Sequence, residues 1–203
     1  MAVKDFASAM DNGLIAVDLR MAEAFAGGHV PGSLSLPVAM LTSFAGWILP
    51  YDTPIGLIAA SPEQAEIGAR SLARIGYDQV AGYLDGEIAA WAVSGRPVDH
   101  IAGIDGLGLK QLHESDPTFV LLDVRAKPEF DQSHLEGATP IYLDELSERL
   151  DELDPHKEIV TFCGSGQRAL IAAGVLQRAG FEKVTVNWGS MGAWQALGCK
   201  IVT

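Results

Sequence analysis

Cysteine is scarce in this chain: its 203 residues hold two, Cys163 and Cys199. Two cysteines make no disulfide framework, which excludes a small stapled scaffold, and a reducing, cytoplasmic setting is the expectation. Long apolar runs are missing too. None approaches the ~20 residues that span a bilayer. The opening stretch M-A-V-K-D-F-A-S-A-M-D-N-G carries acids and no extended apolar core, unlike a secretory leader. Basic residues are few: 14 Lys and Arg against 26 Asp and Glu give a net charge of -12 at pH 7. Nucleic acid and anionic membrane surfaces are poor partners for so acidic a chain. His100, His113 and His156 are scattered, without metal-ligand spacing or an acidic cluster, so neither a metal site nor a cofactor is expected.

What is present is ordinary globular composition, 48% hydrophobic and 20% charged, and a repeat. Val17-Asp18-Leu19-Arg20 is followed by E-A-F-A-G-G-H-V-P-G-S; Leu122-Asp123-Val124-Arg125 is followed by P-E-F-D-Q-S-H-L-E-G-A. Asp18 with Asp123, Arg20 with Arg125, Phe25 with Phe130, His29 with His134 and Gly32 with Gly137 pair at one offset. Later, L-A-R-I-G-Y-D-Q-V pairs with L-Q-R-A-G-F-E-K-V, and Gly86 precedes Trp91 as Gly189 precedes Trp194. Tandem copies of one unit explain the pattern, each near the low end of domain size. The Pro- and Gly-bearing link Gly95 to Gly103 marks the boundary, dividing the chain into residues 1–97 and 98–203.

Within each copy apolar strands alternate with helical patterns. L-I-A-V-D, S-L-S-L and I-G-L-I-A-A read as strands of the first copy, with A-E-A-F-A and a long helix from Pro62 to Ile75 between and after them. In the second, F-V-L-L-D, the short T-P-I-Y and E-I-V-T-F-C take the same order. The expected class is α/β: tandem domains, each a mainly parallel sheet with helices on both faces. Asp18 and Asp123 end strands, and Arg20 and Arg125 follow. These pairs read mainly as scaffold, because a buried carboxylate needs a partner. His29 and His134, in tight turns of both copies, read as structural.

The stretch F-C-G-S-G-Q-R-A, Phe162 to Ala169, carries the chemistry. A buried strand ends, a Gly-containing loop turns, and a helix begins with Leu170, Ile171, Val175 and Leu176 at helical spacing. Ligands of parallel sheets sit beyond the carboxyl ends of the strands, where Cys163 falls. Loop amides and a helix N-terminus favour negative charge there, so a thiol at Cys163 is expected to ionise readily. The competing reading is a small buried hydrophobe. Gly164 and Gly166 let backbone approach closely. Arg168 has two open roles, binding an anionic donor or closing the loop by an ion pair. Trp188 either lines the pocket mouth or is core. Cys199 is a resolving thiol or, more simply, a packed one.

The copies differ at this loop. Aligning Gly76 with Gly180 sets Ala59 opposite Cys163, and I-A-A-S-P-E-Q-A opposite F-C-G-S-G-Q-R-A. The first loop has no thiol, Pro62 removes an amide, Glu63 adds negative charge and Gln64 replaces Arg168. The first copy is therefore expected to be inert.

The pattern D-V-R, E-F…H-L-E-G-A, C-G-S-G-Q-R and G…W resembles the rhodanese, or sulfurtransferase, family over nearly the whole chain, twice. The resemblance implies that Cys163 takes a sulfane sulfur from a small donor such as thiosulfate or a persulfide and passes it to a thiol or cyanide. Gly164, Ser165, Gly166, Gln167, Arg168 and Trp188 would form the binding loop and pocket, with Asp123 and Arg125 in support. The insertion F-A-G-W-I-L-P-Y-D makes the first copy similar to the first rhodanese unit of metallo-β-lactamase fusions. No H-x-H-x-D-H motif is present, so the resemblance makes this chain the rhodanese half alone; the alternative it implies is a non-catalytic interaction or sulfur-carrier module partnering a metallo-β-lactamase-type persulfide dioxygenase. A phosphatase or arsenate reductase would use the same thiol, but the cell-cycle phosphatases have a longer C-x5-R loop, and the C-G-S-G-Q-R loop resembles the sulfur-handling class.

Overall fold

The computed structural model describes residues 1–115 and 118–203. Its chain divides into two compact units, Met1–His100 and Ile101–Thr203. The stretch just before the division is tied to the first unit. His29 and Asp99 exchange backbone hydrogen bonds of 2.9 and 3.0 Å, and Trp91 Nε1 donates to the Pro97 carbonyl at 2.8 Å.

The first unit runs α1 (Val3–Asp11), β1 (Ile15–Asp18), α2 (Ala22–Gly27), β2 (Leu34–Ser35), α3 (Val38–Ile48), β3 (Ile55–Ile58), α4 (Pro62–Ala73), β4 (Val80–Tyr83) and α5 (Glu87–Val93). Its sheet is parallel throughout, in the order β2-β1-β3-β4. The second unit runs β5 (Ala102–Ile104), α6 (Gly106–Ser115), β6 (Val120–Asp123), α7 (Lys127–Gln132), β7 (Thr139–Pro140), 3-10 turns at Leu146–Glu148 and Leu150–Glu152, β8 (Ile159–Phe162), α8 (Gln167–Arg178), β9 (Val184–Asn187) and α9 (Ser190–Ala196). Its order is β5-β9-β8-β6-β7, again all parallel. Central strands β1, β3 and β8 are buried at every position, which is why they read as unbroken apolar runs rather than alternating ones.

The stretches S-L-S-L and T-P-I-Y contract to the two-residue strands β2 and β7. Both lie at sheet edges, and Pro140 has no amide to continue a ladder. Two strands carry weak sequence signals. Strand β4 alternates half-buried and exposed residues. Strand β5 holds Gly103, where any Cβ would lie 2.1 Å from Trp188 Nε1, so the indole lies over bare backbone.

Each unit has its own core. Phe6, Leu14, Ile58, Leu84 and Trp91 pack in the first; Leu109, Leu121, Val160, Phe162 and Trp194 pack in the second. The inserted segment of the first unit forms the end of α3 and the turn after it, and is fastened by Tyr77. Its hydroxyl donates to the carbonyls of Ala45 (3.0 Å) and Leu49 (2.6 Å), and burial pushes the phenol up to about 12.

A common frame underlies both units. Arg20 Nε and Nη2 donate to the fully buried Asp18 carboxylate at 2.9 and 2.6 Å, and Nη2 reaches the Gly28 carbonyl. Arg125 repeats this on Asp123 at the same distances and reaches the Ser133 carbonyl. His29 stacks on Phe25 at 3.9 Å with Nδ1 against the Phe25 carbonyl; His134 stacks on Phe130 at 4.1 Å with Nδ1 against the Phe130 carbonyl. These groups tie the turn after α2, and after α7, to the end of the neighbouring strand.

Candidate active site at the Cys163 loop

Strand β8 delivers Cys163 to the carboxyl edge of its sheet, and α8 starts four residues later. The Cys163 side chain is buried, with the residue 1% exposed. Burial alone would fit a packed thiol, but the surroundings are polar. The Gly166 amide donates to Cys163 Sγ at 3.1 Å. Gly166 has φ +102°, and a Cβ there would stand 3.4 Å from both the Asn187 carbonyl oxygen and the Gly189 nitrogen. Only glycine combines that conformation with that approach at little cost. Among the described residues, the amides of Gly164, Ser165, Gln167 and Arg168 meet no acceptor. They are loop and first-turn donors of α8, which a helix always leaves open. Such a set of donors suits an anion.

A second helix secures the loop from behind. Met191 N–H donates to the Cys163 carbonyl and Gly192 N–H to the Gly164 carbonyl, both at 3.0 Å. The Ser190 hydroxyl accepts from the Cys163 amide at 3.1 Å and donates to the Asn187 carbonyl at 2.9 Å. The N-terminus of α9 therefore consumes the loop's carbonyls while its amides stay available. Ser190 was not anticipated from sequence. Its cue is the Gly189-Ser190 pair, where the first copy has Gly86-Glu87.

Arg168 is not free. Its Nη1 donates to Glu129 Oε2 at 2.7 Å and its Nη2 to Oε1 at 2.8 Å, a two-pronged pair joining α8 to α7. The guanidinium holds the Glu129 carboxyl below the usual carboxylate range, and Oε2 also accepts from the Ala126 amide at 3.2 Å. Of the roles open to Arg168, the ion pair is the one displayed. Glu129 was also missed from sequence, although the repeat holds the cue. Its counterpart is Ala24 and that of Arg168 is Gln64, so both partners change together between copies.

The remaining expected site residues scatter around this centre. Gly164 and Gln167 are half-buried and Ser165 is exposed. Trp188 is half-buried, held between Gly103 and Gly166, with its amide bonded to the Ile104 carbonyl at 2.8 Å. Asp123 and Arg125 are internal frame. A cleft of about 330 Å³ lies at the same strand ends, lined by Lys127, Phe130, Pro140, Tyr142, Glu145 and Arg149 among others. Cys199 is elsewhere, in a cleft of about 320 Å³ with His113, Trp194, Lys110 and Lys200. Among the described residues no group of three His, Cys, Asp or Glu is placed to hold a metal ion, and no helix is long and apolar enough to cross a membrane.

Parallel α/β units with a cysteine between strand and helix, in a loop of open amides, define a class of folds that set a thiol beside an anion cradle. The chain belongs to the rhodanese-like domain family, which matches residues 2–94 and again 108–197. Over 95 residues it is 34% identical to "Putative sulfurtransferase YtwF" of Bacillus subtilis, covering 47% of this chain and 91% of that protein. Over 75 residues it is 39% identical to "Putative sulfur carrier protein YrkF" of the same organism, covering 37% of this chain and 40% of the relative. A solved thiosulfate sulfurtransferase from Pseudomonas aeruginosa aligns with 100% of this chain and 43% of its own, at 22% identity and a TM-score of 0.45. The chain thus spans less than half of the sulfur-carrier relative and of that solved protein.

Proposed function

We propose that the protein is a sulfurtransferase whose second unit carries a sulfane sulfur on Cys163. One observation carries the reading: the Gly166 amide rests on Sγ inside a loop where, among the described residues, the Gly164, Ser165, Gln167 and Arg168 amides meet no acceptor. The Cys163 thiolate attacks the outer sulfur of a donor such as thiosulfate or an organic persulfide. A bond forms between Sγ and that sulfur, the donor's S–S bond breaks, and sulfite or a thiolate leaves with the electron pair. The Cys163 persulfide is an anion, and the open loop amides stabilise it as an oxyanion hole would. An acceptor thiolate or cyanide then attacks the outer sulfur and restores the Cys163 thiolate.

The loop, α8 and the ion pair belong to this chain, so the cycle needs no cofactor and no metallo-β-lactamase-fold partner. A reducing, cytoplasmic compartment would keep Cys163 as the thiol. The first unit, residues 1–97 by sequence, takes no sulfur; with Ala59 at the nucleophile's position it serves as a companion domain. Intact-protein mass spectrometry after thiosulfate or persulfide treatment tests the reading. One added sulfur, mapped to Cys163, absent in Cys163→Ala and released by cyanide, is the expected result. Aryl phosphate hydrolysis without sulfur uptake would replace it with a phosphatase.

A further inference from the structure

The geometry points to Glu129 as the residue that sets donor charge, selecting sulfur donors with at most one negative charge over the thiosulfate dianion. The inference rests on the sulfur-transfer reading and narrows its substrate class.

Four positive charges at the carboxyl edge of the second sheet are each matched by an acid. Arg168 is held by Glu129 through both prongs. Arg125 is held by Asp123, Lys127 by Asp131, and Arg149 by Glu145 and Glu152. Arg168 is the cation nearest the loop, since a Cβ on Gly164 would lie 3.4 Å from its Nη2. It would serve a dianion best, but its charge is already balanced. The Glu129 carboxylate is held ionised by that contact, so it remains charged at any pH where a thiolate attacks. Tyr142 beside the pair brings no cation, and Asp144 and Glu145 add acid to the same edge.

A donor arriving at Cys163 meets a set of neutral amide dipoles and an ion pair of zero net charge, within a chain of net charge -12. Amide dipoles hold a single charge well; a second is left to solvent or repelled by Glu129. The repeat supports the pairing as a unit, because Ala24 and Gln64 replace both partners in the copy that lacks the thiol. Glu129 acts through Arg168 and is a positioning residue.

Two donors react alike and differ by one charge. Thiosulfate gives Cys163 its outer sulfur and releases sulfite; the methanethiosulfonate anion gives its terminal sulfur and releases methanesulfinate. In each, the Sγ–S bond forms as the donor's S–S bond breaks, and the leaving group keeps the pair. Single-turnover persulfidation of the full chain with each donor, at low and high salt, is followed by mass spectrometry. We expect the wild type to favour methanethiosulfonate. Glu129→Gln should raise the thiosulfate-to-methanethiosulfonate rate ratio about tenfold at low salt and less at high salt, a surface-charge effect screened by ions. Glu129→Asp, which keeps the charge, should keep the wild-type ratio. Circular dichroism and a urea midpoint show that both variants fold. An unchanged ratio in folded Glu129→Gln, or the same rise in Glu129→Asp, overturns the assignment and leaves Glu129 as a loop brace. Absence of sulfur on Cys163 from either donor, in all three proteins, overturns the sulfur-transfer reading and the donor filter with it.

Discussion

The loops that follow β3 and β8 begin from the same frame and end in opposite states. In the first unit the loop is closed on itself. Ser61 Oγ accepts from the Gln64 amide at 3.2 Å, the Gln64 side chain accepts from the Ala60 amide at 2.7 Å, and Pro62 has no amide to offer. Such a reciprocal cap satisfies the helix's donors locally. In the second unit Gly166 takes the left-handed turn, Arg168 turns away to Glu129, and α9 binds the loop's carbonyls. Among the described residues α5 makes no such bond to the Ala59 loop. An open loop thus needs more than a thiol. It needs its helix cap left undone and its shape held from outside.

The largest test of this contrast is an exchange of nucleophiles. Cys163→Ala should lose all sulfur uptake, and Ala59→Cys should gain none, because the Ala60 and Gln64 amides are already taken and Pro62 has none; mapping added sulfur by mass spectrometry checks both. The frame should behave alike in the two units. Asp18→Ala and Asp123→Ala each strand a buried guanidinium, and each should cost about 3–5 kcal/mol in urea unfolding. A large inequality between them would break the equivalence of the frames.

Smaller effects sharpen the difference. Ser190→Ala leaves the buried Cys163 amide without its acceptor and should cost about 1–3 kcal/mol, with slower persulfidation. Glu87→Ala at the matching exposed position should stay within about 0.5 kcal/mol. The smallest effect is one of pH in the first unit. Burial holds the His29 imidazole below its ordinary 6.5, so the unfolded chain takes up the proton first as pH falls. The stability contributed by the neutral ring is complete above about 6.5 and declines as pH drops through the lower folded value. Urea midpoints from pH 7 to 5 should fall more steeply for wild type than for His29→Gln.

Much of this was legible from the amino acids. The tandem repeat, the Asp–Arg pairs, the buried strands and the strand–loop–helix around Cys163 all leave local signatures, because each depends on neighbours within a few residues. An ion pair was one of the roles open to Arg168, but its partner escaped because Glu129 lies 39 residues away and alone reads as an exposed charge on a helix. Ser190 escaped because it reaches Cys163 from 27 residues away. Strand β5 reads as linker, since Ala-Gly-Ile is too short and too exposed for a period to show.

Sequence alone determined which copy carries a cysteine between strand and helix and which carries alanine: residue identity at a loop is a covalent fact. Tertiary structure alone decided which amides remain open, which helix braces the thiol, and that the arginine's charge is balanced before any donor arrives. Those depend on groups brought together by folding, and their electrostatics are set by distance in space rather than along the chain.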